Sequence, residues 1–149
     1  MICRDAAFWD RIASHPQVAP AVFMGAAPFT LAPVVENEAN QPYASQNGGI
    51  VFLAKDPAGF VVEMHTLYTP EGWGREVAEN ARIFMAQAFK RASLVLTFEQ
   101  EGRPTRPPLS HGWKPCGPFG GPTTPRLRLW SLSREAWTVS PVGRKTKCL

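Results

Sequence analysis

The apolar positions of this chain change their period once, and that change is its strongest signal. Phe60, Val61, Val62, Met64, Leu67 and Tyr68 are β-branched, aromatic or otherwise apolar, as a strand requires. Thr69-Pro70-Glu71-Gly72 then has turn chemistry, since proline presets φ and glycine permits a positive one. From Arg75 the spacing is helical. Val77, Ala81, Phe84 and Ala88 fall on one face, which predicts a helix over 75–91. A strand that feeds a helix N-terminus presents backbone N–H groups to which a phosphate can bind.

The rest of the chain is patterned more weakly. Asp5 is a suitable N-cap for a short amphipathic helix over 6–14, with Phe8, Trp9 and Ile12 on its buried side. His15-Pro16 ends it, because a residue before proline avoids helical geometry. Residues 16–47 carry five prolines and read as irregular, apart from a strand over 29–35 interrupted by Pro33. Asn47-Gly48-Gly49 predicts a turn and residues 50–54 a strand, joined through a hairpin loop at 55–59 to the strand at 60–68. A further strand at 93–99 completes a strand–helix–strand unit, whose two strands should be parallel. Seven prolines between 102 and 125 exclude a long helix there and leave at most one short turn near 109–111. Residues 126–139 alternate. Leu127, Leu129, Ser131 and Ser133 face one way, and Arg128, Trp130, Leu132 and Arg134 the other. That pattern predicts a half-buried strand at a sheet edge.

Bulk composition narrows the class. A chain of 149 residues, 44% hydrophobic, suits one α/β domain with its own core, here residues 1–140, followed by a basic tail at 141–149. No apolar run approaches the roughly 20 residues that span a bilayer, and no secretory leader is evident at the N-terminus. The three cysteines are far apart and form neither a metal-like pair nor a disulfide framework. Charge is uneven. Residues 1–102 hold 7 Lys+Arg against 11 Asp+Glu, a net −4, and residues 103–149 hold 9 against 1, a net +8. A basic third of this kind suits nucleic acid, an acidic protein surface or a polyphosphate; it equally suits the acidic part of its own chain.

Glu63 and His65 are the candidate catalytic pair. Two apart on one strand, they share a face, and either can act as a general base if its environment tunes it. The alternative is a polar sheet face on which both satisfy neighbouring groups. His15 and His111 are isolated, and their spacing gives no metal site with His65. Trp73 can either plug a groove beside the loop or pack on a partner.

Together these segments resemble the GNAT family of N-acetyltransferases, in the compact form found in tailed-phage genomes. The resemblance rests on the 5–18 segment ending His15-Pro16-Gln17-Val18, the strand pair at 48–52 and 60–65, and the turn Pro70-Glu71-Gly72-Trp73-Gly74-Arg75. It also rests on the strand at 93–98, on His111-Gly112-Trp113, and on the closing segment 129–137. It implies a mixed, mainly antiparallel twisted sheet flanked by helices, with acetyl-CoA as cofactor. Strand backbone at Thr66, Leu67 and Tyr68 would then lie along the thioester arm. Gly72, Gly74, Arg75 and Ala78 would hold the pyrophosphate, and Glu63 or His65 would serve an amine substrate. The family's loop reads Gln or Arg, two residues, Gly, one residue, then Gly or Ala. These positions fall on Trp73, Glu76 and Ala78, and Ala78 alone matches. Glu76 is therefore expected to bring negative charge toward the pyrophosphate, with Arg75 as partial compensation. The family's leaving-group tyrosine has no counterpart, since the only tyrosines are Tyr43 and Tyr68. The expected alternative is a catalytically inactive relative serving a phage as a virion or head-assembly component, or in contact with a host protein. Its place would be the host cytoplasm or the virion. A third possibility is nucleic-acid association through the basic C-terminal third.

Overall fold

A computed structural model of the chain describes residues 1–100, 112–119 and 127–140. The turn expected at 109–111 and the tail from Pro141 lie outside them. The described elements run α1 (Ala6–Ala13), α2 (Ala19–Phe23), α3 (Ala32–Val35), β1 (Gln41–Ser45), β2 (Gly48–Ala54) and β3 (Val61–Tyr68). A single 3-10 turn (Pro70–Gly72) leads into α4 (Arg75–Ala88), followed by β4 (Leu94–Gln100), β5 (Lys114–Phe119), β6 (Leu127–Ser133) and α5 (Arg134–Val139).

The six strands form one sheet in the order β1-β2-β3-β4-β6-β5. Every neighbouring pair is antiparallel except β3 and β4, which are parallel and joined through α4. Helices cover both faces. On one, α4 and α5 bury Ile50, Phe52, Val62, Tyr68, Val95, Trp130 and Leu132 together with Phe84, Ala88 and Trp137. On the other, α1 to α3 bury Val51 and Leu67 together with Trp9, Ile12, Phe23, Leu31 and Val35. Alternate residues of β2 and β3 thus feed opposite cores, as strand pleating dictates. No helix among the described residues is long and apolar enough to cross a membrane.

Several expectations hold. Asp5 caps α1, its side chain accepting from the N–H groups of Ala7 and Phe8. The face of α4 that carries Phe84 and Ala88 is buried, with Val77 and Ala81 packed against it. Others do not hold. The strand expected over 29–35 is instead α3, in which Pro33 occupies the first turn, where its missing N–H costs no intrahelical bond. Asp10 fixes the approach to α3 by accepting from Leu31 N at 2.6 Å and Thr30 Oγ1 at 2.7 Å. The stretch read as irregular also contains α2 and β1. Pro42 is tolerated because β1 is the last strand at its end of the sheet, and the chain's first residues pair along its outer side. Nor is 126–139 one edge strand. Ser133 starts α5 by accepting from Ala136 N at 3.1 Å, and β5, from the proline-rich stretch, lies outside β6.

Candidate functional site

The site is created by a ladder that stops early. β3 and β4 pair only from Val61↔Leu94 to Glu63↔Leu96, although β3 continues to Tyr68 and β4 to Gln100. The last link is Thr97 Oγ1, which donates to the Met64 carbonyl at 3.2 Å. Beyond it the two strands carry no further pairing, and a gap opens beside Thr66 and Tyr68. The direction of the backbone follows from its bonds. Phe60 and Met64 turn their carbonyls toward β4, and Val61 turns its carbonyl toward Lys55 at the end of β2. By strand alternation Thr66 and Tyr68 therefore face the gap, whereas Leu67 faces β2 and buries its side chain beneath α1.

At the end of β3 the chain turns through Pro70–Gly72 into α4. Gly74 is the N-cap, with φ 82°, and no side chain caps the helix. That φ favours glycine, and a Cβ here would meet nothing within 4 Å, so the amides of the first turn are approachable. Gly72 is different. A Cβ there would sit 2.7 Å from the Tyr68 ring and 3.0 Å from Asn47 Cβ. Ala78 is exposed one turn into the helix. Arg75 pairs with Glu79 at 2.7 Å, and both side chains are largely in solvent, so the pair holds Arg75 weakly.

Two residues of the turn behave unexpectedly. Glu76 does not point toward the approachable amides. Its carboxylate accepts from Ser45 Oγ at 2.7 Å, Asn47 Nδ2 at 2.8 Å and Asn47 N at 3.1 Å, and so ties α4 to the β1–β2 turn. Burial alone would raise this carboxyl, but the donors from Ser45 and Asn47 outweigh it and hold it below the usual range. The expectation that Glu76 aims its charge at the helix-start amides is thereby corrected, because its carboxylate is directed to the β1–β2 turn. Trp73 is 56% exposed, and its indole N–H donates to the Tyr68 carbonyl at 3.0 Å. The Tyr68 ring is buried against α4, where burial pushes the phenol up and Ser45 is its neighbour at 3.4 Å. That hydroxyl does not reach the gap side of β3.

Glu63 and His65 meet on the sheet face that α1 to α3 cover. His65 Nε2 lies 2.7 Å from Glu63 Oε1, and Lys55 Nζ lies 2.8 Å from Glu63 Oε2. The Glu63 side chain is 12% exposed and that of His65 45%. Burial would raise the Glu63 carboxyl; Lys55 and His65 outweigh it and keep it below the usual carboxylate range. Glu63 is thus a poor proton acceptor. His65, with Nε2 engaged by Glu63, keeps its Nδ1 for another partner. The structure brings Glu63, His65, Thr66 and Tyr68 to the rim of the gap, and Gly74 and Arg75 to the helix start at its end. Among the described residues, no group of three or more His, Cys, Asp or Glu is placed to hold a metal ion. Lys55, which completes the cluster, escaped sequence inspection; the cross-strand offset through the 55–59 loop was its only signal.

No family model and no curated protein matches this chain. Solved structures do. It is similar to a provisionally assigned acetyltransferase from T. thermophilus, at 18% identity and TM-score 0.58, over 82% of this chain and 76% of that one. A second provisionally assigned acetyltransferase aligns at 17% identity and TM-score 0.64, over 93% and 86%. A chimera of the spermidine N-acetyltransferase SpeG from Vibrio cholerae with hSSAT aligns at 10% identity and TM-score 0.60, over 92% and 95%. Identities this low speak to architecture alone, and on that level the chain has the GNAT-like N-acetyltransferase fold.

Proposed function

We propose that the chain transfers an acyl group from an acyl-CoA thioester, acetyl-CoA in the first instance, to an amine. The observation that carries this reading is the parallel β3–β4 ladder that ends at Glu63↔Leu96, with a catalytic-type pair at its rim and an uncapped helix N-terminus at its end. The residues fit such a cofactor. Thr66 offers backbone to an extended arm, while the Tyr68 carbonyl is open to it only if the Trp73 indole lets go, and the first-turn amides of α4 beside Gly74 offer donors to a pyrophosphate. When bound, the thioester supplies an electrophilic carbonyl carbon, whose C–S bond breaks as the amine forms its C–N bond. His65 Nδ1 takes the proton that the amine loses. Glu63 stays ionised, holds the ring through Nε2 and stabilises the imidazolium that results.

Acetyl-CoA titration with a thermal-shift readout tests this. Ligand at a hundred times its Kd adds about 2.7 kcal/mol of stability, a rise of several degrees in Tm for a chain of this size. An unchanged Tm at millimolar acetyl-CoA sinks the proposal.

Trp73 supports a second reading. Its indole already occupies the Tyr68 carbonyl on the gap side, and it stands where the resemblance calls for Gln or Arg. A non-catalytic protein of this fold, acting in a phage virion or on a host protein, would keep that plug in place. Copurification with particles or with a protein partner, in the absence of any acetyl-CoA response, is the outcome that reading requires.

A further inference from the structure

Past the last link to β4, the carbonyls of Thr66 and Tyr68 face the gap. The second already has a donor, since Trp73 Nε1 lies 3.0 Å from it. An indole nitrogen can only donate. Trp73 therefore makes, at this carbonyl, the bond that an amide N–H of an extended ligand would make.

Little else holds the ring there. Of the chain's five tryptophans, Trp9, Trp113, Trp130 and Trp137 are buried and Trp73 alone is exposed. It belongs to neither hydrophobic cluster and packs on no other aromatic ring among the described residues. Its backbone, in contrast, is fixed. Trp73 N donates to the Pro70 carbonyl at 3.1 Å, and Gly72 just before it is wedged against the Tyr68 ring. The turn can thus stay in place while the indole rotates about its own side-chain bonds, a fast motion for an exposed residue.

We infer that Trp73 is a reversible gate on the donor site. Its indole closes the Tyr68 carbonyl in the free chain and is displaced by an amide N–H of the donor's arm. The inference rests on the acyl-CoA reading for what does the displacing. The exchange is nearly balanced, one N–H for another at the same oxygen. A ligand that also reaches the first-turn amides of α4 opens the gate, and without one the gate closes. A lasting plug would call for packing that this ring lacks among the described residues. The closed state lowers the apparent affinity by the net worth of one hydrogen bond, about two- to tenfold.

Trp73→Phe keeps a ring and removes the donor. Acetyl-CoA is titrated by calorimetry onto the full parent chain and onto this variant. In the parent chain the Trp73 indole N–H is also followed by heteronuclear NMR. Its signal is the one that a soluble relaxation agent broadens, because the other four indoles are buried. The variant is expected to bind acetyl-CoA about two- to tenfold more tightly. At saturation the parent's indole signal is expected to shift and to exchange its proton with water faster. Equal or weaker binding by the folded variant overturns the gate and leaves the acyl-CoA reading standing. An indole signal that keeps its position and exchange rate at saturation does the same, and needs no variant. Absence of binding to both chains removes the acyl-CoA reading and the gate with it.

Discussion

Glu76 stands where the resemblance calls for glycine, and the structure gives it a task that glycine cannot perform. Three hydrogen bonds from Ser45 and Asn47 end on its carboxylate, so α4 and the β1–β2 turn are held together by one side chain. Glu76→Ala leaves those donors to water and is expected to destabilise the fold by about 1–2 kcal/mol, the low end for charge-assisted bonds because the group is partly solvated. Urea denaturation of the variant measures it, and an unchanged midpoint removes the clamp. The same carboxyl predicts a pH effect. Its folded value, like that of Glu63, lies below the ordinary 4.5. The unfolded chain therefore takes up protons first, so this stabilisation is complete above the ordinary value and is lost as pH falls through the lower folded values. Glu76→Gln should flatten the acid limb of a stability–pH curve, and a limb as steep as the original would exclude the linkage. His65→Ala belongs to the chemistry: loss of the base should lower acetyl transfer by about a hundredfold or more while leaving acetyl-CoA binding in place. Equal loss of both would make His65 structural.

At the level of elements, Ser133 shows how a boundary is set by one hydrogen bond. Its hydroxyl accepts from Ala136 N and converts the end of β6 into α5. Ser133→Ala is expected to cost about 1 kcal/mol, read as a shift in the urea midpoint with unchanged slope. The cap was legible, with Ser133 before Arg134-Glu135-Ala136, yet alternation from Leu127 onward outweighed it because both patterns place Trp130 and Leu132 inside. The strand–turn–helix over 61–88 was legible for the opposite reason: its period changes sharply, and Pro70 and Gly72 mark the place. β1 and β5 were hidden by prolines. Pro42 and Pro115 sit in the strands that end the sheet, where a missing N–H disturbs least, and the β5 ladder slips between Pro115 and Gly117. The link from Asp10 to Thr30 and Leu31 spans some twenty residues and has no local pattern at all. Of the candidate site, Glu63 and His65 could be paired from strand alternation. The direction of Glu76 could not, since it depends on where a separate hairpin ends.

For the whole molecule, the two hydrophobic clusters share strands and therefore share their fate. Ile50 and Phe52 feed one core, and Val51 between them feeds the other. Neither face can be lost without unpairing backbone that the opposite face needs, so the described residues should unfold as one unit. Trp9 tests this from the side remote from α4. It is fully buried, its indole donates to the Cys3 carbonyl at 2.8 Å, and its ring lies where a Cβ at position 49 would overlap it. Trp9→Ala should cost about 3–5 kcal/mol. Phe84, Trp130 and Trp137 lie in the other core, so their near-ultraviolet signal reports that side of the sheet. If the strands couple the two cores, this signal and the far-ultraviolet signal of the helices fall together in Trp9→Ala, at a lower denaturant concentration than in the parent chain. If α1 to α3 come away first and leave the aromatic signal of the opposite core intact, the sheet does not transmit stability between its faces. The gap beside His65 would then lose one wall at a smaller free energy than it loses the other.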